Sequence, residues 1–313
     1  MQNWTFASLA VVVTLGTGTA EAAPTVYAES AMLKVRPSAP VKAQHAIQLT
    51  AARNELVSFQ VVVHGGDSGA KEVRARLDGL AGPTRIGGSD LTLYRVGLLN
   101  LTKSAKPGLW PDPLVPDVDE VAGERRTAFP FDVPKGEARA VWVDVRVPES
   151  ATPGLYDGSV EVSGSGFTAS VPVTLSVVNV TMPSTSSLAT AFLLYAPNVC
   201  LAHTGSASCA AAELVNRYQR LALDHRLTLS NPFVIQPQNG DWASFDAAYA
   251  PFLDGTAGTR LCGAKMTSAQ YVGAREPGRY AAWAEHFRAK GWFDRLFDYT
   301  ADEPPLGASW PEV

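Results

Sequence analysis

Residues 138–147 leave few folds open. Val141, Val143, Val145 and Val147 alternate with Ala140, Trp142, Asp144 and Arg146. Successive side chains of a strand point to opposite faces, so this period of two is a strand with one apolar face that must be covered. Residues 55–64 repeat the pattern, with Val57, Phe59 and Val61 opposite Leu56, Ser58 and Gln60, and then turn apolar on both sides. Residues 155–162 and 167–177 add two more such runs, joined by Ser163-Gly164-Ser165-Gly166, a hairpin connector by its glycines. Several alternating runs with turn signals between them and almost no helical period predict an antiparallel β-sandwich over residues 24–182.

Two segments of this region lack the alternation. Pro153-Gly154 fits the centre of a type II turn, whose second central residue needs positive φ. Residues 103–131 are rich in Pro and acid, with Pro107, Pro111, Pro113 and Pro116 beside Asp117, Asp119, Glu120 and Glu124. They read as a long surface loop, and the spacing of a calcium loop is missing.

The polar, proline-marked junction at residues 182–187 changes the grammar. Residues 188–195 read as a buried strand, and Leu214, Tyr218, Leu221 and His225 recur at helical spacing within residues 210–226. Residues 227–235 read as another strand, residues 241–246 as a short helix or loop, and residues 258–263 as a third strand. A helix over residues 277–290 is stopped by Gly291, and a last strand over residues 292–301 follows. Strand and helix in alternation predict a parallel sheet, here an incomplete (β/α) TIM-type barrel over residues 183–313. Closing such a barrel takes ~250 residues, about twice what this region supplies. An open sheet edge invites pairing with another chain, so poor solubility is expected.

The last run ends on Asp302-Glu303-Pro304-Pro305. Proline cannot donate to a ladder, so Pro304 halts sheet pairing and pushes Glu303 toward an extended conformation. Neighbouring residues of a regular strand face opposite ways, and both acids face one ligand only where the pleat breaks. Barrel active sites collect at the C-terminal ends of the strands, the position these acids take here. Tyr195, Trp242 and Tyr299 are candidate sugar-stacking residues, since aromatic faces cover apolar C–H surfaces. Asn198, His203 and Asn231 follow predicted strands, where they would meet sugar hydroxyls. Arg53, Asn54 and Glu55 read as holding a turn together.

Composition narrows the partners. A net charge of −4 and no Lys/Arg cluster give no footprint for nucleic acid or other polyanions. Residues 6–15 form an apolar core followed by small residues and Ala20-Glu21-Ala22, the layout of a secretory signal, although no Lys/Arg precedes the core. Residues 1–23 are therefore expected to be a signal peptide, and the protein to be secreted or periplasmic. The apolar core falls short of the ~20 residues of a membrane span, so no stable membrane insertion is expected after cleavage. Export permits disulfides, and Cys200 and Cys209 flank a Gly/Ser-rich loop that a bond between them would staple, leaving Cys262 unpaired. A zinc reading through His203 lacks the remaining ligands. Neither a metal site nor a cofactor is expected.

Residues 52–63, the Thr152-Pro-Gly-Leu-Tyr-Asp-Gly158 turn and Asp302-Glu303-Pro304, in this order, resemble a group of domains of unknown function, DUF4091, related to glycoside hydrolase family 123. The resemblance implies an N-terminal β-sandwich before a (β/α)8 barrel, and an exo-acting β-N-acetylgalactosaminidase activity on a carbohydrate substrate. It also implies substrate assistance, in which the sugar's 2-acetamido oxygen attacks C1. Glu303 would be the general acid/base, and Asp302 would orient the acetamido N–H. The physics is compatible: the acid must hold its proton near neutral pH while its partner stays anionic, and adjacent carboxylates push their titrations apart. The alternative is a non-catalytic carbohydrate-binding or surface protein whose sandwich does the binding.

Overall fold

The computed structural model describes residues 23–120 and 122–301. The chain divides into two compact units. Among the described residues, the first takes in 23–51, 56–120, 122–146 and 152–177, and the second 52–55, 147–151 and 178–301.

The strands of the first unit are, in chain order, β1 (Thr25–Ser30), β2 (Ile47–Arg53), β3 (Leu56–His64), β4 (Ala70–Arg76), β5 (Leu80–Ala81) and β6 (Arg85–Ile86). They continue with β7 (Leu91–Leu101), β8 (Gly108–Pro116), β9 (Phe131–Val133), β10 (Ala138–Arg146), β11 (Gly154–Gly164) and β12 (Phe167–Thr181). One sheet runs in the order β1-β3-β10-β7-β8, and the other follows β2-β12-β11-β4-β9 with β5 and β6 off that path. The first sheet is antiparallel throughout, and so are the β11–β12, β11–β4 and β4–β9 pairs of the second.

The alternation decides which faces are covered. Val141 lies opposite Val61, and Val143 opposite Phe59, and all four are fully buried. In the second sheet Tyr156 pairs with Leu175 and Val160 with Val171, likewise buried. Each such side chain contributes about 1.5–3 kcal/mol by leaving water. The other face of β11 and β12 stays wet, and Thr174 donates to Asp157 at 2.7 Å while Ser170 donates to Glu161 at 2.8 Å. The first sheet is covered on its second face too. There Tyr27, Val62, Val96, Ala138 and Ala140 pack with Val35 and Ala39 from the segment between β1 and β2. That second layer is why residues 61–63 lose their alternation.

Two expectations change here, and the turn expected at residues 53–55 is present. The segment expected to be a surface loop supplies β8, which carries Pro111, Pro113 and Pro116 and still pairs with β7. It is the last strand of its sheet, where a residue without an N–H can face outward. Gly154 opens β11 with φ +147°, far from the roughly +80° of a type II turn. A Cβ at this position would lie 2.7 Å from Pro83 Cγ, so glycine is required there for a different reason. At Asn54, φ is +59°, and the Glu55 carboxylate accepts from the Ala52 N–H at 2.7 Å, which closes that turn.

The second unit alternates extended segments with α1 (Ala196–Thr204), α2 (Ala211–Asp224), α3 (Ala243–Asp254) and α4 (Pro277–Ala289). β13 (Ala269–Gln270) and β14 (Leu296–Phe297) pair in parallel. Phe192 bridges Leu229 in parallel as well, and the Gln270 N–H donates to the Ser230 carbonyl at 2.7 Å. Four extended segments therefore neighbour one another in sequence order. Thr190, Thr228 and Thr267 tie the first three together, with the Thr228 and Thr267 hydroxyls 2.9 Å apart and the Thr228 N–H donating to Thr190 Oγ1 at 3.0 Å. Helices α2, α3 and α4 bury Leu223, Phe245, Tyr249, Phe252, Trp283 and Phe287 in one aromatic-rich core. Arg295 braces that core, donating to the carbonyls of Leu253 at 2.6 Å and Met266 at 3.0 Å.

Several local expectations fail in this unit. The third parallel segment is β13, whereas residues 258–263 form turns around Gly258 and Gly263, both at positive φ. Residues 188–195 are largely exposed rather than buried, with Leu188 at 72% and Leu193 at 60%. The last strand is confined to Leu296–Phe297 because residues 293–295 form a 3-10 turn. α1 includes residues 201–204, half of the loop expected between the two cysteines, and Cys200 and Cys209 are joined by a disulfide with Cα atoms 5.6 Å apart. Among the described residues no helix is long and apolar enough to cross a membrane. Residues 1–22, which hold the expected signal peptide core, lie outside the described residues.

Candidate functional site

α4 starts at Pro277, a residue suited to the first helical turn, where its missing N–H has no partner to lose. Tyr280 then falls in the first turn, and Trp283 and Phe287 follow on the buried face. The Tyr280 hydroxyl donates to Asp298 Oδ2 at 2.9 Å, just beyond β14. Arg275 Nε lies 3.8 Å from the same carboxylate, and its Nη2 donates to the Tyr299 carbonyl at 2.7 Å. The Tyr271 and Tyr280 rings pack with centroids 4.6 Å apart, and Tyr271 donates to the Ala274 carbonyl. The end of the fourth parallel segment is thus held from both sides before the chain enters Asp302-Glu303.

This cluster shifts its tyrosines. Desolvation raises the Tyr280 pKa, and the hydrogen bond to Asp298 with that residue's charge raises it further, against Arg275. Tyr271 is raised as well, first by desolvation and then by Asp298 and Glu276, with Arg279 opposing. Both hydroxyls are therefore held protonated as donors near neutral pH.

A cleft of about 310 Å³ opens beside the first half of α4, lined by Gln236, Asn239, Trp242, Arg279 and Trp283 among others. Its floor is aromatic and its rim carries amides and a guanidinium. This mixture suits a polyhydroxylated ring, which presents apolar C–H faces and equatorial donors and acceptors.

The expected site residues distribute unevenly. Tyr195, Asn198 and Asn231 come together at the ends of the first two segments. The Asn198 N–H donates to the Tyr195 carbonyl at 3.0 Å, and Asn231 Oδ1 accepts from the Leu194 N–H at 2.8 Å. Asn231 is thereby occupied in joining two segments, while the Tyr195 side chain is 66% exposed. Asn198 lies exposed in the first turn of α1. Trp242 lines the cleft, but its ring stacks on His286 at 3.9 Å and meets Phe245 and Trp283 edge-on, so only part of it is free for a ligand. Tyr299 is 44% exposed beside the Arg275–Asp298 pair. His203 faces the Tyr218 hydroxyl at 2.9 Å. Asp302 and Glu303 lie outside the described residues.

Arg275, Tyr280 and Asp298 were not singled out by sequence reasoning. Asp298 follows the apolar pair Leu296-Phe297 and precedes Tyr299, and an acid between apolar neighbours was the available signal. Arg275 and Tyr280 lie in an unpatterned loop and a first helical turn that carried none.

Residues 28–164 match the glycoside hydrolase 123 N-terminal domain. Through this domain the chain is related to glycoside hydrolase family 123. Among solved structures, it is similar in fold to a family 123 glycoside hydrolase from Clostridium perfringens, studied for glycolipid glycan hydrolysis. The TM-score is 0.53 at 12% identity, over 89% of this chain and 48% of that one, so the chain spans about half the length of that relative. The CooA pilin subunit from enterotoxigenic Escherichia coli also aligns, at TM-score 0.24 and 15% identity, over 49% of this chain and 99% of that one. No curated protein matches in sequence.

Proposed function

We propose that this protein is an exported glycoside hydrolase acting on terminal β-N-acetylhexosaminides, galacto-configured, by a substrate-assisted retaining mechanism. The observation that carries the reading is the order of the second unit. Four extended segments neighbour one another in sequence order, the first pair and the last pair parallel, and in the sequence the fourth, held by Tyr280 and Arg275, is followed by Asp302-Glu303. The match of residues 28–164 to the family 123 N-terminal domain supports the same class. In this reading the parallel segments are the first four strands of a (β/α) barrel, whose active site gathers at the strand C-termini.

Glu303 donates its proton to the departing glycosidic oxygen, then takes one from water. Asp302 accepts the acetamido N–H and offsets the positive charge that develops as the acetamido oxygen attacks C1. No enzyme nucleophile is needed, so the usual rule relating carboxylate separation to stereochemistry does not apply. In this reading Arg279, Gln236 and Asn239, which line the cleft beside α4, bind hydroxyls of the substrate.

The test is hydrolysis of an aryl β-N-acetylgalactosaminide by the wild type and by Glu303→Gln. General acid catalysis contributes roughly 10²–10⁴-fold, so the variant should lose that much activity. Equal rates for the two proteins would remove Glu303 from the reaction.

A further inference from the structure

The first unit carries a pocket of its own, independent of Asp302 and Glu303. It lies on the second face of the first sheet, has a volume of about 150 Å³, and is lined by Leu33, Gln60, Val96, Leu114 and Trp142, with Lys34 and Asp112 at its mouth.

Gln60 is 2% exposed and polar, which makes it the most informative residue of the pocket. Its amide nitrogen donates to the carbonyls of Ser30 and Leu33, both at 2.8 Å, so both N–H bonds are used and the side chain is fixed. The remaining acceptor, Oε1, receives no hydrogen bond from any described residue. That oxygen is not closed off from solvent, so it opens to the pocket, where a ligand hydroxyl can take the place of water. Trp142 is held just as firmly. Its Nε1–H donates to Asp144 Oδ1 at 2.7 Å, and Ser58 donates to the same oxygen at 2.6 Å.

The rest of the lining defines the ligand class. Val96, Pro111, Leu114 and Leu33 supply apolar wall, while Lys34 and Asp112 pair at 3.0 Å across the mouth and present donor and acceptor with no net charge. A neutral ligand is favoured over an anion or a cation. The volume is half the ~300 Å³ at which sites for drug-sized ligands begin, which suits a single ring. We propose that this pocket binds one neutral pyranose ring of a glycan, with Gln60 Oε1 accepting from a ring hydroxyl and the apolar wall covering a C–H face. The sandwich would then be a carbohydrate anchor in its own right.

The experiment uses the full chain labelled with 15N and follows the Trp142 indole N–H, assigned by its loss in Trp142→Phe. N-acetylgalactosamine, galactose and glucose are titrated separately. The expected result is a saturable shift of that resonance with at least one sugar, at a roughly millimolar Kd, as befits a small site. In Leu114→Arg, which fills the partly exposed wall, the Kd should rise about tenfold or more with the melting temperature unchanged. Glu303→Gln should bind as the wild type does, which separates this site from the hydrolytic one. No saturable shift with any of the three sugars, or the same Kd in Leu114→Arg, overturns the proposal.

Discussion

The Tyr280 hydroxyl and the Asp298 carboxylate, 2.9 Å apart, join the first turn of α4 to the end of the fourth parallel segment. The carboxylate and desolvation both keep that phenol protonated. A group whose folded pKa lies above its unfolded one adds stability that is complete below the unfolded value and is lost as pH rises through the folded one. For a tyrosine that window opens above about pH 10. Absorbance titration of the phenolates should therefore show a late-ionising tyrosine that disappears in Tyr280→Phe. The stability difference between wild type and variant should shrink as pH rises through that range.

Arg295 is held inside the second unit against two carbonyls, and burial lowers its pKa. Arg295→Met leaves the Leu253 and Met266 oxygens without their donor, at a cost of about 1–3 kcal/mol. Lysine should not restore the loss, because both bonds come from Nη1, which sits one atom farther along the side chain than a lysine ammonium. Denaturant melts of the three proteins check this, and full rescue by Arg295→Lys would contradict it.

The disulfide between Cys200 and Cys209 closes a short loop, with a sequence separation of 9. Chain entropy for a loop of this size gives about 2–3 kcal/mol. Cys200→Ser with Cys209→Ser should lower stability by that amount, and reductant should then have no further effect on unfolding. Cys262 is exposed and free, so a single thiol should react in the native wild type.

Substitutions in the first sheet should separate its buried from its exposed positions. Phe59 is fully buried against the Val143 row, and Phe59→Ala should cost about 3–5 kcal/mol. Leu99, opposite Trp110 where β7 pairs with β8, is 43% exposed, and its replacement by alanine should change stability by about 0.5 kcal/mol or less. Paired urea melts measure both.

The sandwich was readable because a period of two reports directly on one-sided burial, as Val141, Val143 and Val145 show. β8 was not, since three prolines in a row of nine argue against a strand unless its edge position is known, and pairing partners far along the chain set that position. In the second unit α2 was legible from Leu214 and Tyr218, and α4 from its stop at Gly291. The parallel segments were legible only as approximate runs: residues 188–195, 227–235 and 292–301 hold Phe192, Leu229 and Leu296–Phe297, while β13 was missed. They pair through only a few residues each, too short for a pattern, and Thr190, Thr228 and Thr267 are held by hydroxyl networks that polarity alone does not reveal. Asp302 and Glu303 were read from chemistry alone and lie outside the described residues. The cluster at Asp298 was not legible, because Arg275 and Tyr280 come from a loop and a helix that meet it only in three dimensions.

The most direct measurement compares two aryl β-glycosides that differ only at C2, one bearing the acetamido group of N-acetylgalactosamine and the other the hydroxyl of galactose. If the sugar's own amide is the nucleophile, with Glu303 as acid and Asp302 as its orienting partner, the acetamido substrate is hydrolysed and the hydroxyl analogue is not. Equal rates on the two, or a folded protein that leaves both intact, would contradict the account.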